Sequence, residues 1–221
     1  MLVRVLGAME YTRAWELQKR LVARRLRGEI PDTLLLAEHP PVYTRGASSK
    51  APVPHSLPYP LHTVERGGDI TYHGPGQLVG YPIVHLGERG LRPRGYLRTL
   101  EGILIEAVRP LGVEARSLKG FTGVWARGRK LASIGVAVRG QVSYHGFALN
   151  VDCDLEGFRA IHPCNLEPEQ MTSLQSLLGR PVEQALVLRL VAGTFLSCFL
   201  PAGTGPRGGT VSTHVKRLPK E

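Results

Sequence analysis

Cysteine is scarce in this chain of 221 residues, standing only at Cys153, Cys164 and Cys198. None forms a C-x-x-C pair, which argues against a disulfide framework and against a structural zinc site. Lysine is scarce too, with 6 copies against 22 arginines. Aromatic residues make up 6%, so a core has to come from Leu, Val, Ile and Ala. No run approaches the roughly 18 apolar residues of a membrane span. Met1-Leu2-Val3-Arg4 opens without the apolar stretch of a signal peptide, so a cytoplasmic location is expected. Also missing are a G-x-x-x-x-G-K-[ST] loop, a G-x-G-x-x-G turn after a strand and a G-x-S-x-G elbow. Gly74-Pro75-Gly76 does not replace the phosphate loop, because proline supplies no N–H.

What is present suits one basic domain. The formal net charge is +10 and the hydrophobic fraction 43%. Such a charge steers acidic partners, yet no Lys/Arg run with interleaved aromatics points to nucleic acid. Residues 1–200 are read as a single catalytic-sized domain. Residues 201–221, rich in Gly, Pro, Thr and Lys/Arg, are expected to form a mobile basic tail.

Periodicity orders the elements. Residues 2–6 predict a strand. Tyr11 to Leu26 repeats apolar residues at helical spacing, with Gly28 ending the pattern. Thr33–Glu38 reads as a central strand, followed by a loop over His39–Gly46. Leu61–Arg66 and Leu78–Val84 read as strands. Arg92–Leu111 predicts a helix capped by Gly112. Three strands then follow as an antiparallel meander through Arg127-Gly128-Arg129 and Arg139-Gly140-Gln141. Thr172-Ser173 caps a short helix, and Pro181 is expected to open a last helix through Leu200. The fold class predicted is α/β of the α+β type: a mixed, largely antiparallel sheet flanked by helices.

The densest stretch of special residues is Arg66-Gly67-Gly68-Asp69-Ile70-Thr71-Tyr72-His73-Gly74-Pro75-Gly76-Gln77. A Gly-rich hairpin and a binding loop both fit it. Cys164 is the candidate nucleophile, since it follows Pro163 in an irregular segment. Cys153 lies between two aspartates, which raise a thiol pKa. Cys198 sits on a helix and is expected to be buried. A free thiol is only a few per cent thiolate at neutral pH, so the nucleophile needs an activator. Lys130, at the start of an apolar strand, suits that role, because a partly buried lysine can exchange a proton whereas arginine does not. His73, His145 and His162 are the other candidate bases.

Several ordered motifs together resemble the octanoyltransferases of lipoate biosynthesis, also called lipoyl(octanoyl) transferases. They are Glu38-His39-Pro40-Pro41-Val42-Tyr43-Thr44-Arg45-Gly46, the stretch from Arg66 to Gln77, and Gly128-Arg129-Lys130-Leu131-Ala132-Ser133-Ile134-Gly135. His145-Gly146-Phe147-Ala148-Leu149-Asn150-Val151, Pro163-Cys164 and Met171-Thr172-Ser173-Leu174 complete the set. The resemblance covers roughly residues 30–180. One departure is Asn165, which stands where that family has glycine after the cysteine.

The resemblance implies a biotin/lipoyl protein ligase-like fold. It implies transfer of an octanoyl group from acyl carrier protein to a lysine of lipoyl domains, namely those of 2-oxoacid dehydrogenases and the glycine cleavage H protein. Cys164 would carry the acyl thioester, with Lys130 beside it. Substrate binding is implied for Arg66, Gly67, Gly68, Asp69, Ile70, Thr71, Tyr72 and His73, for Ser133, Ile134 and Gly135, and for Gly146, Phe147 and Ala148. His39 and His145 are further pocket candidates. Gly67, Gly68, Gly135 and Gly146 are expected to leave room for a straight acyl chain, and Tyr72 and His73 to face the reacting thioester. No cofactor, metal, nucleic acid or membrane is implied. The alternative is an ATP-dependent lipoate or biotin protein ligase, which shares the fold type and a Gly-rich loop.

Overall fold

The computed structural model describes residues 1–163 and 166–199. Cys164, Asn165, Leu200 and the predicted tail lie outside the described residues. The strands are β1 (Leu2–Ala8), β2 (Thr33–Glu38), β3 (Val42–Gly46), β4 (Leu61–Val64), β5 (Thr71–His73), β6 (Gln77–Ile83), β7 (Ala115–Arg116), β8 (Val124–Ala126), β9 (Arg129–Arg139) and β10 (Val142–Asn150). The α-helices are α1 (Tyr11–Leu26), α2 (Pro93–Val108), α3 (Leu174–Leu178) and α4 (Gln184–Phe199). They form a seven-stranded sheet, ordered β1-β2-β6-β10-β9-β8-β7, and a three-stranded sheet, ordered β4-β3-β5. The β1–β2 and β3–β4 pairs are parallel and the rest antiparallel. The mixed, largely antiparallel sheet flanked by helices is therefore present, joined by a second small sheet that periodicity did not reveal.

Local chemistry accounts for the elements. In α1, Tyr11, Ala14, Gln18, Leu21, Val22 and Arg25 are buried, the three- and four-residue spacing of one helical face. That face packs on Val79, Tyr81, Ile83, Tyr144 and Ala148 of the large sheet. The opposite face of the sheet meets α2 and α4 through Leu34, Leu36, Leu78, Phe147 and Leu149. The two hairpins of the meander turn on Arg127 and Gly128 (φ 48° and 77°) and on Gly140 and Gln141 (φ 51° and 70°). Paired positive φ values match the strand twist in two-residue turns. Proline opens α2, which ends in a 3-10 turn, Arg109–Leu111, before Gly112 at φ 82°. Ser173 caps α3 by accepting from the Ser176 N–H.

Four expectations need correction. Val42–Gly46 is not a loop but the central strand of the small sheet; its partners are distant in sequence, so local signals missed it. The glycine-rich stretch is not a hairpin between paired strands, because β5 belongs to the small sheet and β6 to the large one. Pro181 lies ahead of the last helix, which starts at Gln184. Cys198 is exposed rather than buried, since Phe195 and Phe199 take the core side of α4.

Gly80 shows how close the packing is. A Cβ there would overlap the Phe147 ring on the neighbouring strand. Gly80→Ala is expected to destabilise the fold by about 1–3 kcal/mol. Denaturant midpoints measure this, and Phe147→Leu in the same chain should restore part of the loss.

Candidate active site

Between the small sheet, α1 and the large sheet lies a narrow cavity of about 40 Å³. Its floor is the large sheet: Ser133, Ile134 and Gly135 of β9, Gly146, Phe147 and Ala148 of β10, and Val79 and Tyr81 of β6. Its roof comes from Arg66, Gly67, Thr71 and His73, and Tyr11 of α1 and His145 complete it. Alternation explains the choice in β5: Thr71 and His73 face the cavity while Tyr72 points the other way.

The predicted substrate residues therefore divide. Arg66, Gly67, Thr71, His73, Ser133, Ile134, Gly135, His145, Gly146, Phe147 and Ala148 line this cavity. Ile70 and Tyr72 do not; they pack with Tyr43, Phe158, Ile161 and Met171 in a separate apolar cluster. Tyr72 thus does not line the apolar cavity. Its hydroxyl pKa is pushed up to about 12, chiefly by burial. Asp69 accepts from the Ser49 hydroxyl (2.7 Å) away from the cavity. His39 stands one residue behind the wall: its Nδ1 meets the Met9 carbonyl and its Nε2 the Tyr81 hydroxyl, each at 2.6 Å. The carbonyl can only accept, so Nδ1 carries the proton and Tyr81 donates to Nε2. His162 is exposed, 3.7 Å from Glu167.

Glycines in and around the cavity also permit close backbone packing. A Cβ at Gly146 would run into the Gly80 carbonyl of β6, so this glycine permits close strand approach. At Gly135 a Cβ would lie 2.9 Å from the Gly67 oxygen, so it lets the roof loop approach the floor. Gly74 and Gly157 make room for the Tyr72 ring, and Gly76 for the Cys153 backbone.

Polar groups behind the roof form one directed chain of hydrogen bonds. Arg66 donates to the Thr44 carbonyl (2.7 Å) and hydroxyl (2.9 Å). Thr44 Oγ1 lies 3.3 Å from His73 Nε2, and His73 Nδ1 lies 3.2 Å from Gln77 Oε1. Gln77 donates to Asn150 Oδ1 (3.0 Å), and Asn150 donates to the Thr172 carbonyl (2.9 Å). Gln77 Oε1 can only accept, which puts the His73 proton on Nδ1 and makes Thr44 the donor to Nε2. The Thr172 N–H in turn donates to the Lys130 carbonyl (3.0 Å). The chain thus links the cavity roof to the backbone that carries Lys130.

Burial, with His39 and Arg66 nearby, drives the His73 pKa down to about 3. Burial likewise lowers His145 to about 4, although Glu65 at 3.2 Å opposes the shift. His145 also holds φ at 55°, and its N–H donates to Gln18 Oε1 (2.8 Å).

Lys130 borders an adjoining cavity with Gly67, Gly68, Gly135, Phe121 and Leu166. The two cavities share Gly67, Ile134 and Gly135. Lys130 is 4% exposed, and its Nζ lies 5.8 Å from the Trp125 ring centre. Leu166 is two residues past Cys164. Of the other thiols, Cys153 is buried, which together with Asp152 raises its pKa to about 12. Among the described residues no group of three or more His, Cys, Asp or Glu could hold a metal, and no helix is long and apolar enough to cross a membrane.

Residues 10–196 match the model of the lipoyl protein ligase A/B catalytic domain. The chain is 50% identical over 195 residues to an octanoyltransferase of Syntrophotalea carbinolica, covering 88% of this chain and 92% of that one. It is 44% identical over 223 residues to an octanoyltransferase of Mycobacterium tuberculosis, covering 98% and 94%. The chain belongs to the octanoyltransferase family. It is an acyltransferase.

Its fold is that of the wider ligase group. A putative lipoate protein ligase from T. acidophilum superposes with a TM-score of 0.68 at 17% identity, over 89% of this chain and 84% of that one. The biotin protein ligase of Aquifex aeolicus gives 0.53 at 15% identity, over 90% and 68%.

Sequence reasoning missed Tyr11, Val79 and Tyr81 as cavity residues and Thr44 and Asn150 as partners of the roof. A polar Asn150 closing the apolar run Phe147-Ala148-Leu149 was the available signal. Val79 and Tyr81 carried none, because β6 is buried throughout.

The lowered histidine pKa values carry a sign. Both histidines stay neutral in the folded chain below the pH at which unfolded histidine, near 6.5, takes up a proton. Stability should therefore fall as pH drops from about 6.5 toward 4, by up to about 1.4 kcal/mol per unit for each histidine. Melting temperature across this window measures it, and His73→Gln should show a shallower fall. A flat profile between about pH 7 and 5 would contradict two neutral buried histidines.

Proposed function

We propose that this enzyme moves an octanoyl group from octanoyl-acyl carrier protein to a lysine ε-amine of lipoyl domains, through a thioester on Cys164 assisted by Lys130. The observation that carries this reading is the placement of Lys130. It is buried at the edge of a cavity that Leu166 borders and that shares Gly67, Ile134 and Gly135 with the apolar one. The relatives named octanoyltransferases support the acyl group transferred.

In the first step the Cys164 sulfur attacks the donor carbonyl, and the carrier thiolate leaves. In the second the acceptor amine attacks the enzyme thioester, the C–S bond breaks, and the amine proton returns to sulfur or to Lys130. A thioester donor makes amide formation downhill without nucleotide. Splitting the transfer in two is the usual gain of covalent catalysis. A neighbouring ammonium favours the thiolate, and positioned proton transfer contributes about 10²–10⁴-fold. The acyl chain would lie in the apolar cavity. Burying its seven methylene or methyl carbons gives at most about 6 kcal/mol. The +10 charge suits acidic partners.

Mass spectrometry after mixing with octanoyl-acyl carrier protein tests the reading. An octanoyl adduct on Cys164, formed without ATP and absent in Cys164→Ala, is expected. Transfer only from free octanoate with ATP would replace it with the ligase alternative. Lys130→Ala should keep the fold and slow acylation by about 10²-fold or more. Acylation near the wild-type rate would make Lys130 a bystander.

A further inference from the structure

The apolar cavity has a direction that strand register defines. Ser133 of β9 pairs with Ala148 of β10, Ala148 pairs with Val79 of β6, and Val79 pairs with Ala37 of β2. These four form one row across the large sheet, perpendicular to its strands. Ser133, Ala148 and Val79 line the cavity and Ala37 does not. The next row, Gly135 on β9 with Tyr81 on β6, ends at a ring held by the His39 hydrogen bond (2.6 Å). Lys130 stands on β9 and its cavity shares Gly67, Ile134 and Gly135 with the apolar one, so the reacting end is placed over β9.

From this geometry we infer that Val79 is the stop that measures the acyl chain. The inference rests on the acyl-transfer reading given above. Neighbouring strands lie about 4.8 Å apart, so β9 to β6 is about 10 Å. A chain of tetrahedral carbons joined at about 1.5 Å advances about 1.25 Å per bond, so eight carbons reach about 9 Å. An octanoyl group entering over β9 thus ends against β6. There it meets Val79, 1% exposed, and the fixed Tyr81 ring. The small Ser133 and Ala148 side chains leave the path open before that point. Behind Val79 the next strand offers only the methyl group of Ala37, which lies in the same apolar cluster. Val79 is therefore the part of the wall that can yield length, whereas moving Tyr81 would break its bond to His39.

The test compares carrier-bound acyl groups of six to twelve carbons on wild-type enzyme, Val79→Ala, Val79→Leu and Ala148→Val, reading kcat/KM for each length. One methylene in an apolar pocket typically discriminates about 10–200-fold. Val79→Ala is expected to raise the decanoyl-to-octanoyl ratio about tenfold or more, and Val79→Leu to raise the hexanoyl-to-octanoyl ratio similarly. Ala148→Val, which narrows the path one strand earlier, should reject octanoyl most strongly. It keeps the test open if Val79→Ala melts too low to assay. A length profile unchanged in all folded variants, with wild-type transfer intact, overturns the stop. A wild-type enzyme that transfers none of these acyl groups overturns the acyl-transfer reading itself.

Discussion

The arrangement depends on the hydrogen-bonded row from Arg66 through Thr44, His73, Gln77 and Asn150 to Thr172. Each buried polar group in it must find a partner or incur the cost of desolvation. The row satisfies them by pointing every donor the same way, and that is possible only with a neutral His73. The roof of the cavity belongs to the small sheet and the floor to the large one. This row crosses between them at the turn from β5 to β6. It therefore holds the cavity at one height, and the Lys130 backbone is tied to the same row through Thr172.

Apolar packing completes the frame. One face of the large sheet is closed by α2 and α4. The other is shared between α1 and the cavity, so the same face is core at Ile83 and lining at Val79. Small residues on β9 and β10, Ser133, Gly135, Gly146 and Ala148, keep the strands and the roof loop close. The cavity lies above them, beneath the roof loop. Arg66 supplies a buried cation in the roof while the floor stays apolar, a division that suits a ligand with a polar head and a hydrocarbon tail.

Fold similarity to lipoate and biotin protein ligases and sequence similarity to octanoyltransferases address different matters. Likeness at 15–17% identity reports the scaffold. Identity of 44–50% across nearly the whole chain reports the family. Function resides in the site built on a scaffold and not in the scaffold itself.

Much was legible in the residues alone. Helical spacing delimited α1, one glycine in each turn marked both hairpins of the meander, and the ordered motifs pointed to the family and to most of the cavity lining. Local chemistry decides these features, because a turn or an amphipathic face is set by neighbours within a few positions. The tertiary structure alone decided the rest. β3 became a strand because distant β4 and β5 pair with it. Tyr72 turned away from the cavity because β5 alternates, and Cys198 faced outward because Phe195 and Phe199 took the core side. The partners of His73 at Thr44 and Gln77, and the row from Ser133 to Ala37, arise from registers between strands far apart in the chain. No periodicity within one strand specifies a register, which is why the direction of the cavity had to be seen in three dimensions.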